Sequence, residues 1–121
     1  MTETNNAFLV KYVETIMTDD DKLYLISEYV GSDSLAKVLE SSEKRPKTEK
    51  DSLRLFSMMC IGLETIIEKD FVHQFLTPDR IFLDSNGWIK IADFGHAKIL
   101  KILKSEPRPT PNMRFRSPEQ L

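Results

Sequence analysis

The chain has a single cysteine, Cys60, which excludes an internal disulfide and fits a reducing compartment. Its four glycines are scattered and none forms G-x-G, so a glycine-rich phosphate cradle is missing from the sequence. No apolar run approaches the length of a membrane span. Residues 1–6 are polar, with neither a basic n-region nor an apolar core, so no secretory signal is read there. The formal net charge is -2, which gives no footing for nucleic acid or an anionic surface. No internal repeat is found. These absences point to an intracellular, cytoplasmic chain with neither nucleic acid nor membrane as partner.

What is there suits one small folded segment. With 40% hydrophobic and 30% charged residues over 121 positions, the chain separates from disordered sequences and carries a modest core. Residues 8–14 and 23–26 are rich in β-branched and aromatic side chains, and Thr18-Asp19-Asp20-Asp21 between them is a polar turn. An antiparallel hairpin is predicted. Residues 31–39 open with turn residues and become helical, with Leu35, Val38 and Leu39 on one face. The charged stretch 41–47 holds a Lys-Arg cluster that reads as a solvated linker ahead of a localisation signal. Thr48 is an N-cap, with Asp51 completing an acidic variant of the capping box. Leu53, Phe56, Cys60, Leu63 and Ile67 recur at helical spacing and predict a long core helix, with Met58, Met59 and Gly62 favouring close packing. Cys60 reads there as a small core residue in preference to a reactive thiol.

Residues 71–95 organise the rest. Ile81-Phe82-Leu83 is a short apolar run, and Ser85-Asn86-Gly87 is turn chemistry, since Asn and Gly accept positive φ. Trp88, Ile89 and Ile91 resume a strand around Lys90, and Asp93-Phe94-Gly95 follows directly. A strand-ending Asp beside a Gly suits metal binding. The stretch resembles the catalytic loop and magnesium loop of the protein kinases, H-R-D-L-K-P-x-N-I-L-L-D followed by D-F-G. His73, Leu76, Pro78, Ile81, Leu83 and Asp84 match in register, as does all of Asp93-Phe94-Gly95.

The departures bear on chemistry. Phe75 stands where the family has the Asp that accepts the substrate hydroxyl proton. Thr77 replaces the Lys that supports the transferring phosphoryl group. Arg80 replaces the Asn of the second magnesium, and a cation there repels a divalent ion. Gln74 replaces the Arg that pairs with a phosphorylated activation loop. Phosphoryl transfer rests on positioning and charge stabilisation, so little or no catalysis is expected.

The resemblance extends over nearly the whole chain and implies an α+β, partial protein-kinase-like fold. Residues 8–30 would be N-lobe strands and hinge, 31–70 C-lobe helices, 71–95 the catalytic and magnesium loops, and 96–121 the activation segment. Ser27 falls at the gatekeeper, and Glu28, Val30 and Phe82 at positions that meet adenine. The ribose-binding acid aligns with Ser34, beside Asp33. His73 and Phe94 match two residues of the regulatory spine, with Tyr12 at its strand-four position. A core role for His73 is preferred over acid–base chemistry. Asp93 would be the one metal ligand left, so ATP and Mg2+, implied by family, should bind weakly.

Residues 96–104 place Lys98, Lys101 and Lys104 among Ile and Leu. A basic amphipathic membrane helix is the sharper reading, but under three turns of length favour a short helix of the activation segment. Residues 105–112 carry three prolines and predict an irregular loop, with Thr110-Pro111 a proline-directed phosphosite. Ser117-Pro118-Glu119 resembles the A-P-E end of the segment. No strand-three Lys or αC Glu is present, and the later C-lobe helices are missing. Their loss should expose apolar surface and leave the chain marginally stable or dependent on a partner protein covering that surface. The expected function is an inactive, pseudokinase-like binding or scaffolding module. The alternatives are a serine/threonine kinase completed by parts outside the chain, and a decayed gene remnant.

Overall fold

The computed structural model describes residues 6–94 and 113–120. Two small antiparallel sheets and two helices follow in the order β1 (Tyr12–Met17), β2 (Leu23–Ser27), α1 (Leu35–Glu40), α2 (Glu49–Ile67), β3 (Ile81–Leu83) and β4 (Ile89–Ile91). Pro78–Arg80 forms a 3-10 turn ahead of β3, and Met113–Phe115 and Pro118–Gln120 form two more near the end. This is the α+β arrangement expected. The expectations for residues 96–104, for the proline-rich stretch and for Thr110 lie outside the described residues.

β1 and β2 pair with a bulge between Tyr12 and Glu14. The Thr18 N–H donates to the Lys22 carbonyl, the Lys22 N–H donates to the Thr18 hydroxyl, and Asp21 adopts a positive φ of 58° in the turn they close. The expected first strand, residues 8–14, needs correction. Residues 8–10 have strand character but pair elsewhere: the Val10 N–H donates to the Ile91 carbonyl at 2.9 Å and the Ile91 N–H to the Phe8 carbonyl at 2.8 Å. Leu9 thus lies parallel to β4, buried in the core, and the Phe8 ring stacks on Trp88 at 5.5 Å. Strand propensity is a local property, whereas the choice of partner strand is not.

α1 is capped by Ser34, whose hydroxyl accepts the Lys37 N–H. Leu35 and Val38 are buried as expected, but Leu39 is exposed. α2 begins with the full capping box: the Thr48 hydroxyl accepts the Asp51 N–H, and the Asp51 carboxylate accepts the Thr48 N–H. Its buried face differs from the expected one. Met58, Gly62 and Ile66 face the core, flanked by Leu55, Met59 and Leu63. Leu53 and Phe56 are more than half exposed, at 55% and 59%, and so is Ile67. Cys60 is exposed too, so it is not a core residue. Gly62 decides which stripe turns inward. A Cβ there would lie 3.0 Å from the Ile91 side chain and 3.2 Å from the Phe8 carbonyl, so this is where helix and sheet cross closely.

The core joins α2 to the β3–β4 hairpin, with Leu9, Met58, Ile66, Ile81, Ile89 and Ile91 at its centre. Asp84 sets the hairpin turn as an Asx cap, its carboxylate accepting the N–H groups of Asn86 and Trp88. Gly87 takes the positive φ, 73°, that the turn requires. Among the described residues no helix is long and apolar enough to cross a membrane.

Candidate functional site

The site is built where the loop before β3 meets the residues after β4. His73 is buried, and its Nε2 lies 2.7 Å from the Ala92 carbonyl. Its Nδ1 accepts the Phe75 N–H at 3.3 Å, so the ring proton sits on Nε2 and is donated to Ala92. Burial is the main reason the His73 pKa falls below its usual value; the Ala92 carbonyl and the Asp93 charge oppose this, and the Arg80 charge adds to it. The ring is therefore a neutral clamp between two loops, in line with the expected core role.

Just past each end of the clamp the backbone is left-handed. Gln74 follows His73 with φ 64°, and Asp93 follows Ala92 with φ 60°. Neither residue is glycine, so each conformation costs on the order of 1–2 kcal/mol and persists because its surroundings hold it. The Ala92 N–H also donates to the Arg80 carbonyl at 2.8 Å, which ties the 3-10 turn to the same point.

Arg80 and Asp93 meet directly. The guanidinium Nη1 donates to the Asp93 carboxylate at 2.7 Å. The same guanidinium lies 5.9 Å from the centre of the Phe75 ring. Three positions singled out in the sequence, 75, 80 and 93, thus form one cluster. Thr77 stands at the head of the 3-10 turn, where its carbonyl accepts the Arg80 N–H and its hydroxyl makes no cap bond. Phe94 packs half-buried against the core. Gly95 lies outside the described residues. Tyr12 is half-buried on β1, its hydroxyl paired with that of Thr15.

The hinge positions form a second cluster. Glu28 accepts the Lys11 N–H at 2.8 Å and the Lys90 ammonium. Burial pushes the Glu28 carboxyl up, but Lys90 and Lys11 together outweigh it and hold the pKa below the usual value. Lys90 is the cross-strand partner of Phe82, and Phe82 makes a bridge to Ser34. Glu28 is therefore brought by Lys90 to the middle pair of the β3–β4 ladder, where Phe82 lies, and Val30, two residues after Glu28, is half-buried. Ser34 is occupied as the α1 cap, and Asp33 pairs with Lys44 at 2.5 Å. The Glu28–Lys90 tie was missed in the sequence, where Lys90 stood only as the polar residue of an alternating strand.

These residues do not fit a divalent metal ion. Asp93, the remaining candidate ligand, already holds a guanidinium. Among the described residues no three His, Cys, Asp or Glu side chains converge. Magnesium ordinarily takes one or two carboxylates together with substrate phosphates.

The fold and the retained loop frame are consistent with part of a protein-kinase fold, and comparison with known proteins agrees. The family described as "Protein kinase domain" matches residues 1–121, and the chain belongs to that family. It is similar to serine/threonine-protein kinase CLA4 of Eremothecium gossypii, 29% identical over 78% of this chain and 13% of that protein. It is also similar to the cAMP-dependent protein kinase type 3 of Saccharomyces cerevisiae, 30% identical over 78% of this chain and 23% of that protein. Human serine/threonine-protein kinase MRCK alpha is 33% identical over 70% of this chain and 5% of that protein. The chain spans less than a quarter of the length of these relatives.

Proposed function

We propose that this kinase-like segment transfers no phosphate and acts as a binding module. One observation carries the reading: the position of the catalytic carboxylate holds Phe75, and its ring lies beside a guanidinium. An aromatic ring accepts no hydroxyl proton, so the nucleophile is left unactivated. The preserved parts, the His73–Ala92 clamp and the β3–β4 hairpin, support a structural inheritance from the family without its chemistry. ATP, if held, would meet the backbone of Glu28 and Val30 and the side chain of Phe82. The partner would be a protein covering the exposed face of α2. That face presents Leu53, Phe56 and Ile67. Next to it, Ile67, Val72, Leu76 and Phe115 line a groove. The test is incubation with radiolabelled ATP and generic acceptor proteins. Transfer should not exceed that of an Asp93→Ala control, and clear Asp93-dependent transfer would overturn the proposal.

A serine/threonine kinase completed by residues outside this chain is the second reading. The intact clamp and the serine/threonine kinase relatives favour it. It requires another carboxylate to reach the place of Phe75, and the same transfer assay on a longer chain decides it.

A further inference from the structure

We propose that Arg80 is the resident cation of Asp93, and that its guanidinium closes this site to divalent metal ions. The pair is built, not incidental. Both backbone groups of Arg80 are engaged: its N–H donates to Thr77 at 3.0 Å, and its carbonyl accepts from Ala92, the neighbour of Asp93, at 2.8 Å. The two side chains therefore start from fixed points. The guanidinium then has a carboxylate at 2.7 Å and an aromatic ring at 5.9 Å. Charge-assisted hydrogen bonding and a cation–π contact both hold it.

A tethered cation has a large advantage over a free one. It is present at high effective concentration, while an incoming metal ion must shed tightly held water to gain one carboxylate. Phe75 and Arg80 thus meet at the same site. Replacing Phe75 with Asp alone would supply a second acceptor to Arg80 and leave the site without metal. This inference stands apart from the catalytic one, since metal binding and phosphate transfer are read by different measurements.

The test uses Mn2+ as the probe, without nucleotide, on the whole chain, with bound ion measured by electron paramagnetic resonance. Wild type, Asp93→Asn, Arg80→Asn and the Arg80→Asn/Asp93→Asn double variant are compared. Arg80→Gln serves as a second opening variant, and near-UV circular dichroism confirms that each is folded. Wild type and Asp93→Asn should bind alike. Arg80→Asn should bind about tenfold more tightly or better, and the double variant should lose that gain. Asp93-dependent Mn2+ binding in wild type as tight as in Arg80→Asn would overturn the proposal. So would a folded Arg80→Asn and a folded Arg80→Gln that gain no Asp93-dependent binding.

Discussion

β1 and β2 run for six and five residues, yet most of their side chains are exposed, including Val13, Ile16, Met17, Tyr24 and Leu25. β3 and β4 have three residues each, and Ile81, Ile89 and Ile91 are buried to 3% exposure or less. Both are two-stranded antiparallel ribbons, a form that is marginal in water on its own. The difference lies in what covers them. α2 packs on β4 and residues 8–10 extend its edge, whereas β1–β2 is tied to the rest through Glu28 and Lys90. Length of pairing therefore says little about anchoring here; burial of one face decides it. The short ribbon carries the His73 clamp and the Arg80–Asp93 pair, so the site rests on the firmer of the two.

The largest expected effect comes from hollowing the short ribbon. Ile91→Ala should cost about 2–5 kcal/mol by lost transfer energy and a residual cavity. In a chain this small that is most of its stability, and a urea melt should lose its cooperative transition. A sloping but intact transition with an unchanged midpoint would show that the core does not depend on β4. Next comes Gly62→Ala. Alanine favours a helix by about 1 kcal/mol over glycine, so a gain is the naive expectation. Here the added Cβ meets the Phe8 backbone carbonyl at 3.2 Å and the Ile91 side chain at 3.0 Å. Overpacking of this kind costs about 1–3 kcal/mol, so the net change should be destabilising. A higher urea midpoint would mean that the crossing of α2 over β4 is looser than described.

The third prediction concerns the clamp. Burial lowers the folded-state pKa of His73 from its usual 6.5. The unfolded chain therefore takes up the proton first as pH falls. The stability held by neutral His73 is fully present above about pH 6.5 and is lost as pH drops from there through the folded pKa, with a slope of up to about 1.4 kcal/mol per pH unit. His73→Asn should be less stable at pH 7.5 and should flatten that slope. Identical slopes for the two proteins would assign the acid sensitivity to other groups.

Local chemistry was legible in the sequence, and non-local choice was not. Thr48 and Asp51 announced their capping box because all its atoms lie within one turn. Ser85-Asn86-Gly87 announced its turn for the same reason. α2 was placed correctly but rotated. Leu53, Phe56, Cys60 and Ile67 share the 3.6-residue period with Met58, Gly62 and Ile66, and period alone does not say which stripe faces inward. The signal that settles it is Gly62, the glycine within α2, where the Phe8 backbone needs room. Phe8, Leu9 and Val10 read as strand but found their partner at β4, across most of the chain. At the site, the sequence placed a cation and a carboxylate at the two metal positions. That Arg80 would reach Asp93 and rest beside Phe75 depended on a loop geometry that spacing does not encode.

The tie between the two ribbons should be worth less than either core change. Lys90→Met removes the ammonium from Glu28, a partly buried pair with 20% and 32% of its side chains exposed. Discounted for that exposure, the loss is about 1 kcal/mol. The amides of β1–β2 should exchange with solvent severalfold faster while those of β3–β4 barely change. Equal acceleration of both ribbons would mean that they open as one unit.

The smallest effect is expected on the long ribbon itself. Ile16 is 42% exposed and faces Tyr24 across the hairpin. Ile16→Thr keeps a β-branched side chain and removes apolar surface that water already reaches, so stability should move by no more than about 0.5 kcal/mol. Solubility should rise, because an exposed, apolar two-stranded ribbon is a template for association. Light scattering at increasing concentration separates the outcomes. If Ile16→Thr unfolds the chain as Ile91→Ala does, the exposed ribbon contributes to folding through contacts with its own face. The contrast between the two hairpins would then be one of degree and not of kind.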